Sequence, residues 1–400
     1  MFLPIEDLTA PAAADPRPAW LRKGFRPFFL GAALFTWLTI PAWALSFTGH
    51  APSQVANMGW HAHEMLFGFT AAVIAGFLLT AVTNWTQRDT VTGYPLLAVF
   101  LLWVLGRVVW LLPDLSPALR AVVDGAFLPV VAIAIARPIL AAKNTRNLPM
   151  VGILALLSIA NIAWHVGIIM DASVVTRRAQ MGSLAVILLL IVIMSGRVFP
   201  MFTRNGIRDP RVEGSPRADK LSAALMLLVV LGEVTGVIDA WPKLAAGLFG
   251  VLTISLVWRS LGWRTHRTSS VPLVWVLHAA HLWLIIGVAL RGLSALGLAP
   301  ATLALHALTV GCLVTVCFGM MARVSLGHTG RMLSAPTTAT ACFWLLMVAS
   351  WVRVLGPLVA PTQYFVWVLI SGTLLSLAAL AFVIGYAVVL TSPRVDGRPE

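Results

Sequence analysis

Residues 179–196 read AQMGSLAVILLLIVIMSG and lie uncharged between Arg178 and Arg197. A helix needs about 20 apolar residues to cross the hydrocarbon of a bilayer. Similar runs recur along the whole chain, separated by short segments that contain proline and charged residues. We therefore predict an all-α, polytopic integral membrane protein with about twelve transmembrane helices.

The overall composition supports the same class of protein. Of the 400 residues, 59% are hydrophobic and only 11% are charged, and the mean hydropathy is +0.89. Because this leaves too little polar surface to coat a soluble core, soluble α/β folds are excluded. The cysteines lie within apolar runs, which argues against a disulfide framework.

The chain is predicted to form one membrane domain. Residues 1–27 are assigned to an N-terminal tail, 28–391 to a single helical bundle and 392–400 to a C-terminal tail. The longest polar connection is placed at about 200–218, followed by a seventh helix over 219–239. The N-terminal tail lacks the apolar core of a cleavable signal.

The net charge of +13 indicates topology and not nucleic-acid binding. The Lys and Arg residues lie in the gaps between apolar runs and are not gathered on one surface. With twelve helices, most of them fall on the side of the termini, including those from Arg197 to Lys220. The positive-inside rule therefore places both termini in the cytoplasm.

Ionisable residues within the spans concentrate at the predicted outer level. Such groups cost several kcal/mol in hydrocarbon, so they are functional candidates that usually face the bundle interior. The residues at this level are His61, His63, Glu64, Arg107, Asp124, His165, Glu233, His306 and Arg353. Six or more helices would present them to one wet or metal-filled cavity near the outer face.

The strongest local motif is WHAHEM at residues 60–65, with three potential metal ligands at a helix mouth. In an α-helix His61 shares a face with Glu64 and Met65, whereas His63 points roughly the opposite way. Either the two histidines serve different centres, or the helix begins after His61. The plainer alternative is that both cap the helix at the membrane interface.

Four further histidines are candidate ligands. His278 and His281 share one helical face nearer the cytoplasmic end, an arrangement that suits copper, zinc, iron or one haem ligand. Hydrogen bonds to backbone carbonyls, together with contacts to tryptophans, are their alternative. His165 and His306 each stand alone on an apolar helix, where metal ligation and simple hydrogen bonding stay equally open.

Two arginines within spans fit a second role. A b-type haem in a helical bundle needs imidazole ligands and cations for its two propionates. Arg107 and Arg353, both at the outer level, are candidates for the propionates. Ion pairs with Asp124 or Glu233 are the alternative.

Several segments resemble the NnrS family of bacterial haem- and copper-containing membrane proteins. They are RPFF at 26–29, WHAHEMLFGF at 60–69, AGFLLTAVTNW at 75–85, SGRVFPMF at 195–202, HALTVG at 306–311 and GMMARVSLGHTG at 319–330. The resemblance implies twelve helices in a bacterial inner membrane, haem b and copper as cofactors, and a link to denitrification and nitrosative stress. It strengthens His61, His63 and His306 as ligands and draws attention to His328.

We therefore predict a metal centre that binds or reduces nitric oxide, supplied by an electron donor that the sequence does not identify. Glu64 would be the proton donor, and no nucleic-acid partner is expected. The alternative is a transmembrane copper or haem transporter. Transport needs metal ligands distributed from one membrane face to the other, whereas a reaction centre needs them clustered. The outer cluster favours a centre, and His278 and His281 keep transport open.

Overall fold

The computed structural model describes residues 15–51 and 57–398, and these form helices without any strand. Twelve long helices follow one another along the chain. They are α1 Phe25–Phe47, α2 Met58–Thr86, α3 Gly93–Leu111, α4 Pro117–Ala141, α5 Thr145–Ile169, α6 Ser173–Ile207, α7 Pro216–Thr235, α8 Pro242–Trp263, α9 Pro272–Ala295, α10 Ala301–His328, α11 Thr337–Val359 and α12 Pro361–Thr391.

Eleven helices in the described part of the chain are long and apolar enough to cross a membrane. The exception is α7, which carries charged residues at both of its ends. It nevertheless runs the depth of the bundle. Near its start Ser222 bonds to Ser255 of α8 at 2.7 Å, and near its end Glu233 pairs with Arg291 of α9 at 2.7 Å. α7 therefore packs through the bundle beside the eleven candidate membrane spans, and the predicted all-α polytopic fold is confirmed.

The first and the last described residues lie at the same end of the bundle. Arg26, fully buried at the start of α1, donates from Nη1 to the carbonyls of Leu390 at 3.0 Å and Ser392 at 2.7 Å. The amide of Val395 donates to Thr329, just after α10, at 3.1 Å. We call this end the termini end and the other the distal end. That the termini end faces the cytoplasm stays a prediction.

The connection after α6 is shorter than the sequence suggested. The helix continues through Pro200 to Ile207, so the connection covers 208–215 and not 200–218. A proline removes only its own N–H from the hydrogen-bond ladder. The buried side chains of Phe199 and Thr203 keep the residues around it packed against the bundle.

Two helices lie at the centre of the bundle. In α2, 89% of the apolar span is buried, and in α10 72% is, against 28% for the peripheral α3. These two helices carry His61, His63 and His306, so those histidines enter the interior of the bundle.

Candidate metal centres

Each central helix changes from α- to π-helical geometry directly after a histidine near its distal end. In α2 the π segment is Glu64–Thr70, and in α10 it is Ala307–Val314, which follows His306. π-helical turns are rare and occur frequently at functional sites. Both histidine-bearing turns lie at the distal end, where His61 meets Trp43 near the end of α1.

His61 and His63 face different parts of the bundle. His61 stacks on Trp43 with ring centroids 3.8 Å apart, and the ring of His63 lies 4.3 Å from that of Trp164 in α5. The helix begins at Met58, before His61. Of the two sequence alternatives, the structure therefore supports the first, in which the histidines serve different sites.

Glu64 accompanies His63 and not His61, contrary to the sequence expectation. Its Oε1 lies 3.0 Å from His63 Nδ1. The backbone at Glu64 is still α-helical, since its N–H bonds to the carbonyl of Trp60, so it is the side chain that turns away from His61 to reach Arg107 and His63. Met65 does share a cavity with His61, as i,i+4 spacing predicts.

The side chain of Asp124, on α4, is the hub of a buried network that we call the polar centre. Its Oδ2 accepts from His165 Nε2 at 2.8 Å and from Asn161 Nδ2 at 3.0 Å, both on α5. The same oxygen lies 3.2 Å from His63 Nε2, and Oδ1 accepts from Arg107. The polar centre consists of His63, Glu64, Arg107, Asp124, Asn161 and His165.

The hydrogen bonds assign a charge to His63. Its Nδ1 faces Glu64 Oε1, and its Nε2 lies 3.0 Å from Asn161 Oδ1. Since carboxylate and amide oxygens only accept, both ring nitrogens donate and the ring is an imidazolium. Arg107 also donates to Glu64 Oε2 at 2.5 Å. Two cations therefore balance two carboxylates, as buried charges require.

Indole rings enclose the polar centre. Trp110 lies parallel to His165 with ring centroids 5.9 Å apart, and Trp164 meets the same ring edge-on at 5.2 Å. The buried Nε1 donors of both tryptophans have no hydrogen-bond partner in the described part of the chain. The polar centre is thus surrounded by apolar rings that still hold unused donors.

Three side chains of the polar centre could hold a metal ion. One ligand atom each from His63, Asp124 and His165 can be chosen so that all three lie within 4.8 Å of one another. Two imidazoles and a carboxylate suit first-row transition metals. Binding would replace the hydrogen bonds that His63 and His165 now donate to Asp124.

The second site is a cavity of about 220 Å³ on the side of α2 that carries His61. We call it the distal cavity; its lining includes His61, Met65, Met181, His306 and Thr309. The buried Nδ1 of His61 has no partner in the described part of the chain. His306 donates from Nδ1 to the carbonyl of Thr302 at 2.7 Å, which leaves its Nε2 lone pair free to bind a metal.

The two predicted arginines differ in their partners. Arg107 is held by Glu64 and Asp124, which is the ion-pair alternative of the sequence analysis. Arg353 donates to the hydroxyl of Tyr364 at 2.8 Å, and no carboxylate among the described residues lies within 4 Å of it. It is close enough to act electrostatically on both histidines of the distal cavity.

His278 and His281 lie apart from these sites, towards the termini end, and share a face as predicted. His278 bonds to Thr203 at 2.8 Å and to Thr265 at 2.9 Å, and His281 bonds to the carbonyl of Leu256 at 3.1 Å. His328, at the end of α10, packs against Phe25 with ring centroids 5.7 Å apart. The structure therefore brings four of the six predicted ligands to the distal end.

Sequence reasoning missed Asn161 and the aromatic residues that contact the histidines. Asn161 lies four residues before His165 in an apolar helix, so i,i+4 spacing could have indicated a shared face. Trp43, Trp110 and Trp164 gave no such signal, because tryptophan is common in membrane helices.

The fold and these sites define a multipass helical membrane protein with two histidine-bearing sites at one end of its bundle. A family model described as NnrS protein matches residues 19–394, nearly the whole chain. The chain belongs to the NnrS family, and this membership fits a membrane protein related to nitrosative stress. None of the curated proteins compared with the chain matches it.

Proposed function

We propose that this protein is a haem- and copper-containing protein of the bacterial inner membrane that binds or reduces nitric oxide and protects against nitrosative stress during denitrification. The observation that supports the proposal is the placement of two histidine-bearing sites on different sides of one turn of α2. His61 and Met65 belong to the distal cavity, and His63 and Glu64 belong to the polar centre.

The distal cavity fits copper. Two imidazoles with available nitrogens and a thioether are donors that copper accepts, and thioether sulfur favours Cu(I). Copper bound here would supply the redox chemistry and the affinity for nitric oxide. The contact with Trp43 fixes the ring of His61, and the bond to Thr302 fixes the tautomer of His306.

The same cavity does not fit a porphyrin as it stands. Its volume of about 220 Å³ is below the roughly 300–1,000 Å³ of pockets that hold drug-sized ligands. Family membership, and not the shape of this cavity, is therefore what supports haem b. Arg353 next to the cavity remains the candidate for a propionate, while both guanidinium ends of Arg107 are already engaged.

If Glu64 is the proton donor, its position determines where nitric oxide would be reduced. Its oxygens face His63 and Arg107, within the polar centre. In the charge state assigned above this proton lies on His63, which donates from Nδ1 to the Glu64 carboxylate, so Glu64 would donate a proton only after taking it from the imidazolium. Reduction that consumes this proton belongs at the polar centre, whereas the apolar distal cavity suits the capture of nitric oxide.

Copper transport is a second candidate because a further cavity lies between α1, α2, α6 and α10, which also line the distal cavity. It has a volume of about 80 Å³, and its lining includes Met194 on α6 and both Cys317 and Met320 on α10. Soft sulfur donors deeper in the bundle are what a Cu(I) passage requires. Copper uptake into vesicles that contain the purified protein separates the two functions, since a reaction centre keeps its copper.

The experiment that tests the proposal is anaerobic purification followed by metal analysis and absorption spectra with and without nitric oxide. We expect the wild-type protein to contain stoichiometric copper and H61A and H306A to lose it. H63A and H165A should keep the copper of the distal cavity but lose the metal of the polar centre or the response to nitric oxide. H50A, which replaces an exposed histidine at the distal end, is the matched control and should retain its copper and its response to nitric oxide. Sub-stoichiometric copper together with the lack of a Soret band would rule the proposal out.

A further inference from the structure

A third cavity, of about 410 Å³, lies towards the termini end between α8, α9 and α11. Its polar side is formed by the connection between α8 and α9, including Thr265 and Ser269. Its apolar side includes Leu282 and Trp344, which are 52% and 59% exposed on the outer surface of the spans. The cavity therefore joins a polar loop to the lipid-facing surface.

The hydrogen bonds of His278 leave it no free nitrogen. The hydroxyl of Thr203 donates to the carbonyl of Phe199 at 2.7 Å, so it accepts from His278 Nε2 at 2.8 Å. Nδ1 of His278 is then the acceptor for the Thr265 hydroxyl at 2.9 Å. This side chain lines the cavity but offers nothing further to a ligand.

His281 is different, because one of its nitrogens has no partner. Its Nε2 donates to the carbonyl of Leu256 at 3.1 Å, which makes Nδ1 an acceptor. No described residue bonds to this Nδ1, although the side chain is only 5% exposed and lines the cavity. This Nδ1 is not one of the fully buried unpaired atoms, so it is accessible from the cavity and a ligand hydroxyl can donate to it.

We propose that this cavity binds the headgroup of an isoprenoid hydroquinone, with a ring hydroxyl donating to His281 Nδ1. The indoles of Trp275 and Trp344, with centroids 5.0 Å apart, provide aromatic surface for the ring. The hydroxyl groups of the polar loop face the second ring oxygen, and the apolar side at Leu282 receives the tail.

Other occupants match the lining less well. The described residues that line the cavity include no Lys or Arg, and a lone pair on His281 repels phosphate oxygens, so a phospholipid headgroup is disfavoured. A metal would find only the imidazoles of His281 and of the exposed His266, since His278 is engaged by both threonines, and the described lining adds no carboxylate or thiolate. A hydroquinone site would also supply the electron donor that the proposed function lacks, but binding itself does not depend on the metal centres.

The proposal makes a specific prediction about redox form. A quinone carbonyl is an acceptor and would face the acceptor of His281, so the oxidised form should bind on the order of tenfold more weakly than the hydroquinone. The measurement is anaerobic titration calorimetry of chelator-treated protein in nanodiscs, with a decyl-substituted benzohydroquinone and the matching quinone. Because the metal is removed, failure here is distinct from failure of the nitric oxide proposal.

Variants test the assigned residue. H281L should bind both forms equally and weakly, whereas H50L, which replaces an exposed histidine at the distal end, should keep the preference for the hydroquinone. Equal binding of both forms to the unmodified protein would overturn the assignment. So would wild-type affinity in H281L, or a phospholipid seen by native mass spectrometry that saturating hydroquinone does not displace.

Discussion

At the residue scale, the polar centre is a set of buried charges that are stable only together. Asp124 accepts from Arg107, Asn161 and His165 and lies against the imidazolium of His63. Removing one partner of a buried ion pair leaves the other uncompensated, which costs more than the pair itself contributes.

We expect D124N to lower stability by about 3–5 kcal/mol, because it leaves a buried guanidinium and an imidazolium with one carboxylate between them. Thermal unfolding of the protein in detergent measures the change. E233Q is the control, because it breaks another buried ion pair, with Arg291. It should leave the metal content of the polar centre unchanged. If D124N unfolds like the wild type, the charges assigned to the polar centre are wrong.

Arg353 allows a prediction whose sign depends on the occupant of the distal cavity. Its guanidinium opposes a bound cation at His61 and His306, so R353Q should raise copper affinity, on the order of tenfold. A haem propionate at Arg353 would give the reverse, a loss of haem. Copper affinity and haem content measured on the same preparation decide between them.

At the scale of the element, each π segment contains a glycine that lies close against side chains of a neighbouring helix. In α2, a Cβ added at Gly68 would lie 2.8 Å from Arg107 Nη1 and 2.8 Å from Glu64 Oε2. The carbonyl of Gly68 also accepts from Trp103 Nε1 at 3.0 Å. In α10, Gly311 is similarly close to the indole of Trp283.

We expect G68A to destabilise the protein and to disturb the polar centre, although alanine normally stabilises a helix by about 1 kcal/mol relative to glycine. G152A is the matched control, because its Cβ would meet no atom within 4 Å. The melting temperatures of both variants test this. A rise in both would show that the close contacts at Gly68 relax without cost.

At the scale of the whole molecule, α7 decides the topology. Counting only the eleven apolar spans would place the termini on opposite sides, whereas the crossing of α7 places them on the same side. The contact between Arg26 and the end of α12 requires the second arrangement.

A green fluorescent protein fused after residue 400 should therefore fluoresce in the cytoplasm, as the positive-inside rule predicts. Alkaline phosphatase fused at residue 240, after α7, should be active because that connection would lie in the periplasm. An inactive fusion at 240 that becomes active when moved to 214 would show that the orientation is inverted.

The candidate site was predictable in part. The sequence identified His61, His63, His165 and His306 as residues of one level, because ionisable groups in apolar runs stand out one by one. It paired Glu64 with the wrong histidine, since the direction of that side chain depends on Arg107, which comes from another helix. The free nitrogen of His281 was also hidden, because it depends on contacts with α8.

The sequence by itself determined the membrane class, the order of the helices and the candidate polar residues. The reason is that the length and apolarity of a segment are local properties, and they suffice to place it in a bilayer. Only the tertiary structure decided that His61 and His63 serve separate sites, and that Arg107 is bound while Arg353 lacks a carboxylate partner among the described residues. These outcomes depend on which side chains of distant helices meet, and the free energy of such contacts is not encoded in any single segment.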